Sequence, residues 1–191
     1  MIRTATIVFA LFWAGAAVAQ QKQKTLWGSI EVGYGTGIVE TGTSGTHYRA
    51  SKYGFMEVTN TRLKAGYYIS PNLSLGAGIG AGNYTGYDIR AVPVFADIRW
   101  HFTKSPNLFA FADIGASLFR HEFIDKGFVS ELGAGYRVTF GKRCSLNPSV
   151  GYNLIAYRQG YRNMLPSPYP GRGKPENRVR HSICLTIAFE F

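Results

Sequence analysis

Three groups of residues carry chemistry by type and spacing: histidines beside hydroxyl or carboxyl groups, a basic run near the carboxy-terminus, and acids and bases repeated at alternate positions. His181-Ser182 is the obvious base and nucleophile pair. It opens a stretch of period two, however, and adjacent strand residues point to opposite faces, so the two cannot share a proton. His121-Glu122 and His47 fall in loops, with no serine beside them marked as a nucleophile. His101 beside Trp100 reads as an interfacial or lumenal hydrogen-bonding residue. No Cys, His, Asp and Glu spacing matches a metal site. Gly76-Ala77-Gly78-Ile79-Gly80 is strand by period rather than a phosphate loop entering a helix. No catalytic residue, metal or cofactor is therefore assigned.

The basic run comprises Arg158, Arg162, Arg172, Lys174, Arg178 and Arg180 against the single acid Glu176. It falls in a Pro-, Gly- and Arg-rich loop from 158 to 178 and its far shoulder, where guanidinium groups suit bidentate recognition of phosphate. The alternating set is Glu31, Arg62, Lys64, Asp97, Arg99, Asp113, Glu131 and Arg137. Each lies on the polar face of its segment, with an apolar residue on at least one side.

Eight such segments position these groups. The first runs from about Trp27 to Thr36, with Ile30, Val32 and Tyr34 on the apolar face, and a polar loop from 37 to 52 follows. The second spans Phe55 to Ser70 and the tight turn Pro71-Asn72 leads into the third, Leu73 to Ala81. The fourth holds Val92 to Phe102, the fifth Leu108 to Phe119, the sixth Phe128 to Phe140 and the seventh Cys144 to Tyr157. The last, His181 to Phe191, sets Ile183, Leu185, Ile187, Phe189 and Phe191 on one face. Short connections at 71–72, 103–107 and 141–143 alternate with mostly longer ones. This spacing predicts an all-β fold, an eight-stranded antiparallel up-and-down transmembrane β-barrel with both termini on the side of the short turns. Pro93 and Pro148 lie mid-strand, where each removes a ladder donor, so bulges or strand ends are expected there.

The distribution of charge decides which face is inside. A soluble ligand-carrying barrel is apolar within and polar without, and a membrane barrel is inverted. Four acids and four bases on one face suit a lumen packed by ion pairs, since each buried ion requires a partner. Eight strands leave an interior that side chains fill, which argues against a large pore. Aromatic residues gather near both ends of the segments: Tyr67, Trp100, Phe102, Phe140, Phe189 and Phe191 at one, Tyr34, Tyr84, Tyr87 and Tyr157 at the other. They read as two girdles at lipid–water boundaries.

The amino-terminus reads as an export signal: Arg3, the apolar run Ile7 to Trp13, and Ala17-Val18-Ala19 before Gln20. Residues 1–19 are thus expected to be a signal peptide and 20–191 one barrel domain. In an exported chain, the formal charge of +10 points to anionic lipid head groups rather than nucleic acid. Cys144 and Cys184 fall on opposite faces by parity, which predicts two free, buried thiols.

Taken together, the export signal, the strand count, Val92-Pro93-Val94-Phe95-Ala96-Asp97-Ile98-Arg99 and the terminal Phe191 make the chain from Trp27 onward resemble the small outer-membrane β-barrel proteins of Gram-negative bacteria, similar to OmpX and the OmpA membrane domain. The resemblance implies a bacterial outer-membrane location, and a last strand (Phe189, Phe191) read by the barrel-assembly machinery. It implies a structural or surface-interaction role, as a monomer among outer-membrane lipid and lipopolysaccharide. The alternatives are a narrow pore or an enzyme acting on lipid A or phospholipid acyl chains. The lipid A deacylases among such barrels separate their His and Ser by one residue, which His181-Ser182 does not.

Overall fold

Period-two alternation carries through nearly every segment of the computed structural model, which describes residues 26–42, 47–49, 56–85, 89–119, 127–140, 144–159 and 176–191. The expected signal peptide lies outside the described residues. Ten strands form one antiparallel sheet: β1 (Leu26–Gly42), β2 (His47–Arg49), β3 (Glu57–Ser70), β4 (Leu73–Tyr84), β5 (Ile89–Phe102), β6 (Ser105–Phe119), β7 (Gly127–Tyr136), β8 (Val138–Phe140), β9 (Cys144–Gln159) and β10 (Glu176–Glu190). Since β7 and β8 are two halves of one stave and β2 only lines the end of β1, the barrel has eight staves in up-and-down order. β10 pairs with β9 on one side and β1 on the other, which closes the sheet and leaves no long edge.

Closure reaches the last residue. Gly28 and Phe191 exchange both backbone hydrogen bonds, at 3.1 and 2.9 Å. The rings of Phe140, Phe189 and Phe191 then run in a row at 5.9 and 6.2 Å between neighbours. At this end the turns are tied together: Asn72 Nδ2 donates to the His101 carbonyl at 2.7 Å and to Thr103 Oγ1 at 2.9 Å.

The outer face is apolar through the middle of the wall, with Val32, Leu63, Ile98, Leu132, Val150 and Leu185 all exposed. The charged face is the buried one, so the barrel is inverted relative to a soluble calyx. Glycines on the inner face make room for rings. A side chain at Gly66 or Gly76 would meet the Trp27 indole, one at Gly78 would meet Phe95, and those at Gly133 and Gly135 would meet Phe111 and Phe109. Gly66→Val is accordingly expected to displace Trp27 and cost about 1–3 kcal/mol by overpacking. A red-shifted tryptophan emission with a lower urea midpoint would show it, and an unchanged spectrum would contradict the socket.

Several boundaries differ from the sequence expectation. The first connection is not all loop, because β1 runs on to Gly42 and pairs there with β2. The turn between β5 and β6 shrinks to 103–104, as β6 already pairs at Ser105. Pro93 brings no bulge. The β4–β5 ladder merely skips from Ile79↔Val94 to Gly82↔Ala91 without a change of register, and β6 pairs straight through Pro93. Pro148 does sit opposite an interruption, the break at Arg137 between β7 and β8. Both thiols are free; Cys184 is buried, whereas Cys144 at the start of β9 is half-exposed rather than buried.

Candidate functional site

Alternation along five staves delivers the charged set to one interior. Lys64 on β3 holds three carboxylates, Glu31 at 3.3 Å, Asp97 at 2.9 Å and Asp113 at 2.7 Å. Asp97 and Asp113 are direct cross-strand neighbours, a repulsive pairing that the shared ammonium offsets. Arg62 pairs with Asp113 at 3.1 Å and with Glu131. Arg99 spans three partners: Glu31 at 3.0 Å, Asp97 at 3.0 Å and Glu190 at 3.1 Å. Arg137 meets Glu190 at 2.8 Å and also donates to Tyr68. The eight residues named from the sequence therefore form one connected chain of four cations and five carboxylates, with Glu190 on the closing strand as its ninth member.

The spare valences are also used. Asn147 donates to Glu190 at 3.0 Å and Asn153 to Glu131 at 3.1 Å. Rings sit against the cations: Trp27 lies 4.2 Å from the Arg99 guanidinium, and Phe95 and Phe111 lie 5.3 and 5.4 Å from the Lys64 ammonium. His101 is lumenal, packed between Tyr68 and Phe109.

Toward the loop end the interior becomes apolar. Val58, Tyr84, Ala91, Ile155, Tyr157 and Cys184 form a buried cluster across the lumen. This corrects the girdle assignment: Tyr84 and Tyr157 point inward, because the alternation of their strands continues to the strand ends. Tyr34 is exposed on the wall as expected, and Tyr87 lies outside the described residues. Among the described residues, one cavity inside the ionic chain and one between it and Tyr84 are each about 10 Å³, at the lower limit for one water.

Above the apolar cluster sits a second ionic group that the sequence reading missed. Glu40 receives Arg180 Nε at 2.8 Å, Arg178 Nη1 at 3.2 Å and the Tyr157 hydroxyl at 2.9 Å. Arg180 also donates to the Thr85 carbonyl at 3.0 Å. The cause is a bulge in β1: the register with β10 shifts by one residue between Gly37 and Val39. Before it the odd residues face inward, and after it Glu40 does. Arg178 and Arg180 are thus not loop residues; they lie on β10 with buried side chains committed to Glu40. Arg158 lies on β9 and is exposed on the outer wall. Arg162, Arg172 and Lys174 lie outside the described residues.

Of the histidine candidates, Ser182 is fully buried while His181 faces out and meets the Tyr152 hydroxyl at 2.5 Å. His121, Glu122 and the side chain of His47 lie outside the described residues. Among the described residues no group of three or more His, Cys, Asp and Glu is placed to hold a metal.

No protein-family model matches the sequence, and no curated protein does. Similar solved structures include the outer membrane protein AlkL in DMPC lipid bilayers, 13% identical over 90% of this chain and 92% of that one, with a TM-score of 0.54. Neisserial surface protein A is 13% identical over 87% and 99% of the two chains, with a TM-score of 0.47. The outer membrane enzyme PagL is 13% identical over 82% and 97%, with a TM-score of 0.43. At this identity the likeness to AlkL is one of fold: an eight-stave barrel of the outer-membrane type.

Proposed function

We propose that this chain is an integral bacterial outer-membrane barrel with a structural or surface-interaction role, closed to solutes, whose loop-side end meets lipopolysaccharide or another anionic partner. The supporting observation is the stacking of the lumen: a nine-residue ionic chain, an apolar layer, then the Glu40 group, with cavities of about 10 Å³ between side chains. A continuous file of water needs a polar path, and the Val58, Tyr84, Ala91 and Ile155 side chains narrow it where they meet across the lumen. The loop-side rim is also uneven. β1 continues from its last partner on β3, Thr36↔Glu57, up to Gly42, with β2 on one side of it and β10, followed by β9, on the other. That raised wall is a surface for a partner, with the short turns and both chain ends at the opposite, periplasmic side.

Purified barrel reconstituted in planar bilayers is expected to give no discrete conductance steps. Stable single-channel openings would overturn the sealed-platform reading in favour of a pore. The same preparation is expected to leave lipid A and phospholipid acyl chains intact over long incubation, and specific turnover would replace this reading by the enzymatic one.

A further inference from the structure

On the outer wall, two rows of side chains border a groove of about 1020 Å³ that crosses β9, β10, β1, β3, β4 and β5. The upper row, Tyr34, Thr59, Asn83 and Arg90, follows a single paired register from strand to strand. The lower row is mostly apolar, with Val32, Ala81 and Val92 and the single hydroxyl of Thr61 between Val32 and Ala81, and small residues such as Gly33 and Gly82 lie between the two rows. The groove lining contains no carboxylate. Glu57, two residues above Thr59, accepts the Tyr34 hydroxyl at 3.1 Å. Arg90 is exposed and makes no ion pair among the described residues.

The height of this row matters. Arg90 stands twelve residues from Phe102 along β5. At about 3.3 Å per residue and a tilt of about 40°, that is about 30 Å above the aromatic end of the wall. The apolar band of such a barrel is about 25 Å tall. Arg90 therefore meets the head groups of the loop-side leaflet, while the lower row reaches down to acyl depth. An outward guanidinium beside an amide and a hydroxyl matches a phosphate, and the apolar trough beneath it matches a chain.

We infer that this groove is a binding site for a phosphorylated lipid of the loop-side leaflet, its phosphate held by Arg90 with Asn83 and Thr59 and an acyl chain lying along Val32, Ala81 and Val92. The inference rests on the outer-membrane reading above and moves the anionic contact from the carboxy-terminal loop to the wall. Native mass spectrometry of the detergent-refolded full barrel, titrated with diphosphorylated lipid A, tests it. Arg90→Gln is expected to weaken retention of lipid A at least tenfold, and Arg90→Lys to weaken it less. Arg158→Gln, an outward arginine on β9, is expected to leave it unchanged. Removing the lipid phosphates should match the loss seen in Arg90→Gln, and inorganic phosphate alone should not compete, since the trough contributes. Equal retention by wild type and Arg90→Gln, or an equal loss in Arg158→Gln, overturns the site. A conducting barrel would defeat the sealed-platform reading, and the lipid titration would still report on the groove.

Discussion

Lys64→Met should destabilise the barrel by about 3–5 kcal/mol, the usual cost of removing one partner from a buried ionic pair. The reason is numerical as much as local. One ammonium is shared by Glu31, Asp97 and Asp113, and its loss leaves three cations to answer five carboxylates. Asp97 keeps Arg99, Glu31 keeps Arg99 and Asp113 keeps Arg62, but the Asp97–Asp113 neighbours then face each other with nothing between them. Methionine has nearly the reach of the lysine stem, so the side-chain volume is kept and the charge is what changes. Equilibrium unfolding in urea of the lipid-refolded barrel measures the effect. The double variant Lys64→Met with Asp113→Asn is expected to recover about 1–2 kcal/mol, because it deletes the unanswered repulsion. Equal midpoints for wild type and Lys64→Met would mean that the network contributes nothing to stability.

That network was readable from the sequence because it depends on parity alone. Glu31, Arg62, Lys64, Asp97, Arg99, Asp113 and Glu131 all lie where period two is unbroken, so strand assignment fixed their side of the wall. Glu190 obeys the same rule on β10 and joins through Arg99 and Arg137, contacts between staves far apart in sequence. The Glu40 group was hidden for two physical reasons. A bulge between Gly37 and Val39 inverts parity in β1, and no sequence pattern marks which residue is extra. β9 and β10 also continue through Arg158 and Arg178, polar positions that look like loop until their partners across the sheet are known. Tyr84 and Tyr157 show the converse error. Their aromatic type suggested a lipid boundary, yet the alternation of their own strands already turned them inward.

Arg99→Met is expected to cost at least as much as Lys64→Met, and to show itself at the seam of the barrel. Arg99 on β5 reaches Glu31 on β1 and Glu190 on β10, the two strands whose pairing closes the sheet, and its guanidinium lies over the Trp27 ring on β1 beside that seam. Its removal therefore weakens contacts made only once the ends of the chain have met. Of the three tryptophans, Trp27 and Trp100 lie among the described residues of the barrel. Trp100 faces lipid, which leaves the loss of the cation to be read at Trp27. The expected result is a loss of about 3–5 kcal/mol, a changed Trp27 emission and slower recovery of the closed form on refolding. Arg99→Lys keeps the charge but loses the planar fork that meets Glu31, Asp97 and Glu190 from three separate nitrogens, so it should fall between wild type and Arg99→Met. Arg137 supplies the comparison, since it shares Glu190 but is 21% exposed and holds a single carboxylate. Arg137→Met should cost no more than about 1 kcal/mol after screening by solvent. If Arg137→Met proved as damaging as Arg99→Met, the cost would lie in the loss of any neighbour of Glu190 rather than in the bridge across the seam.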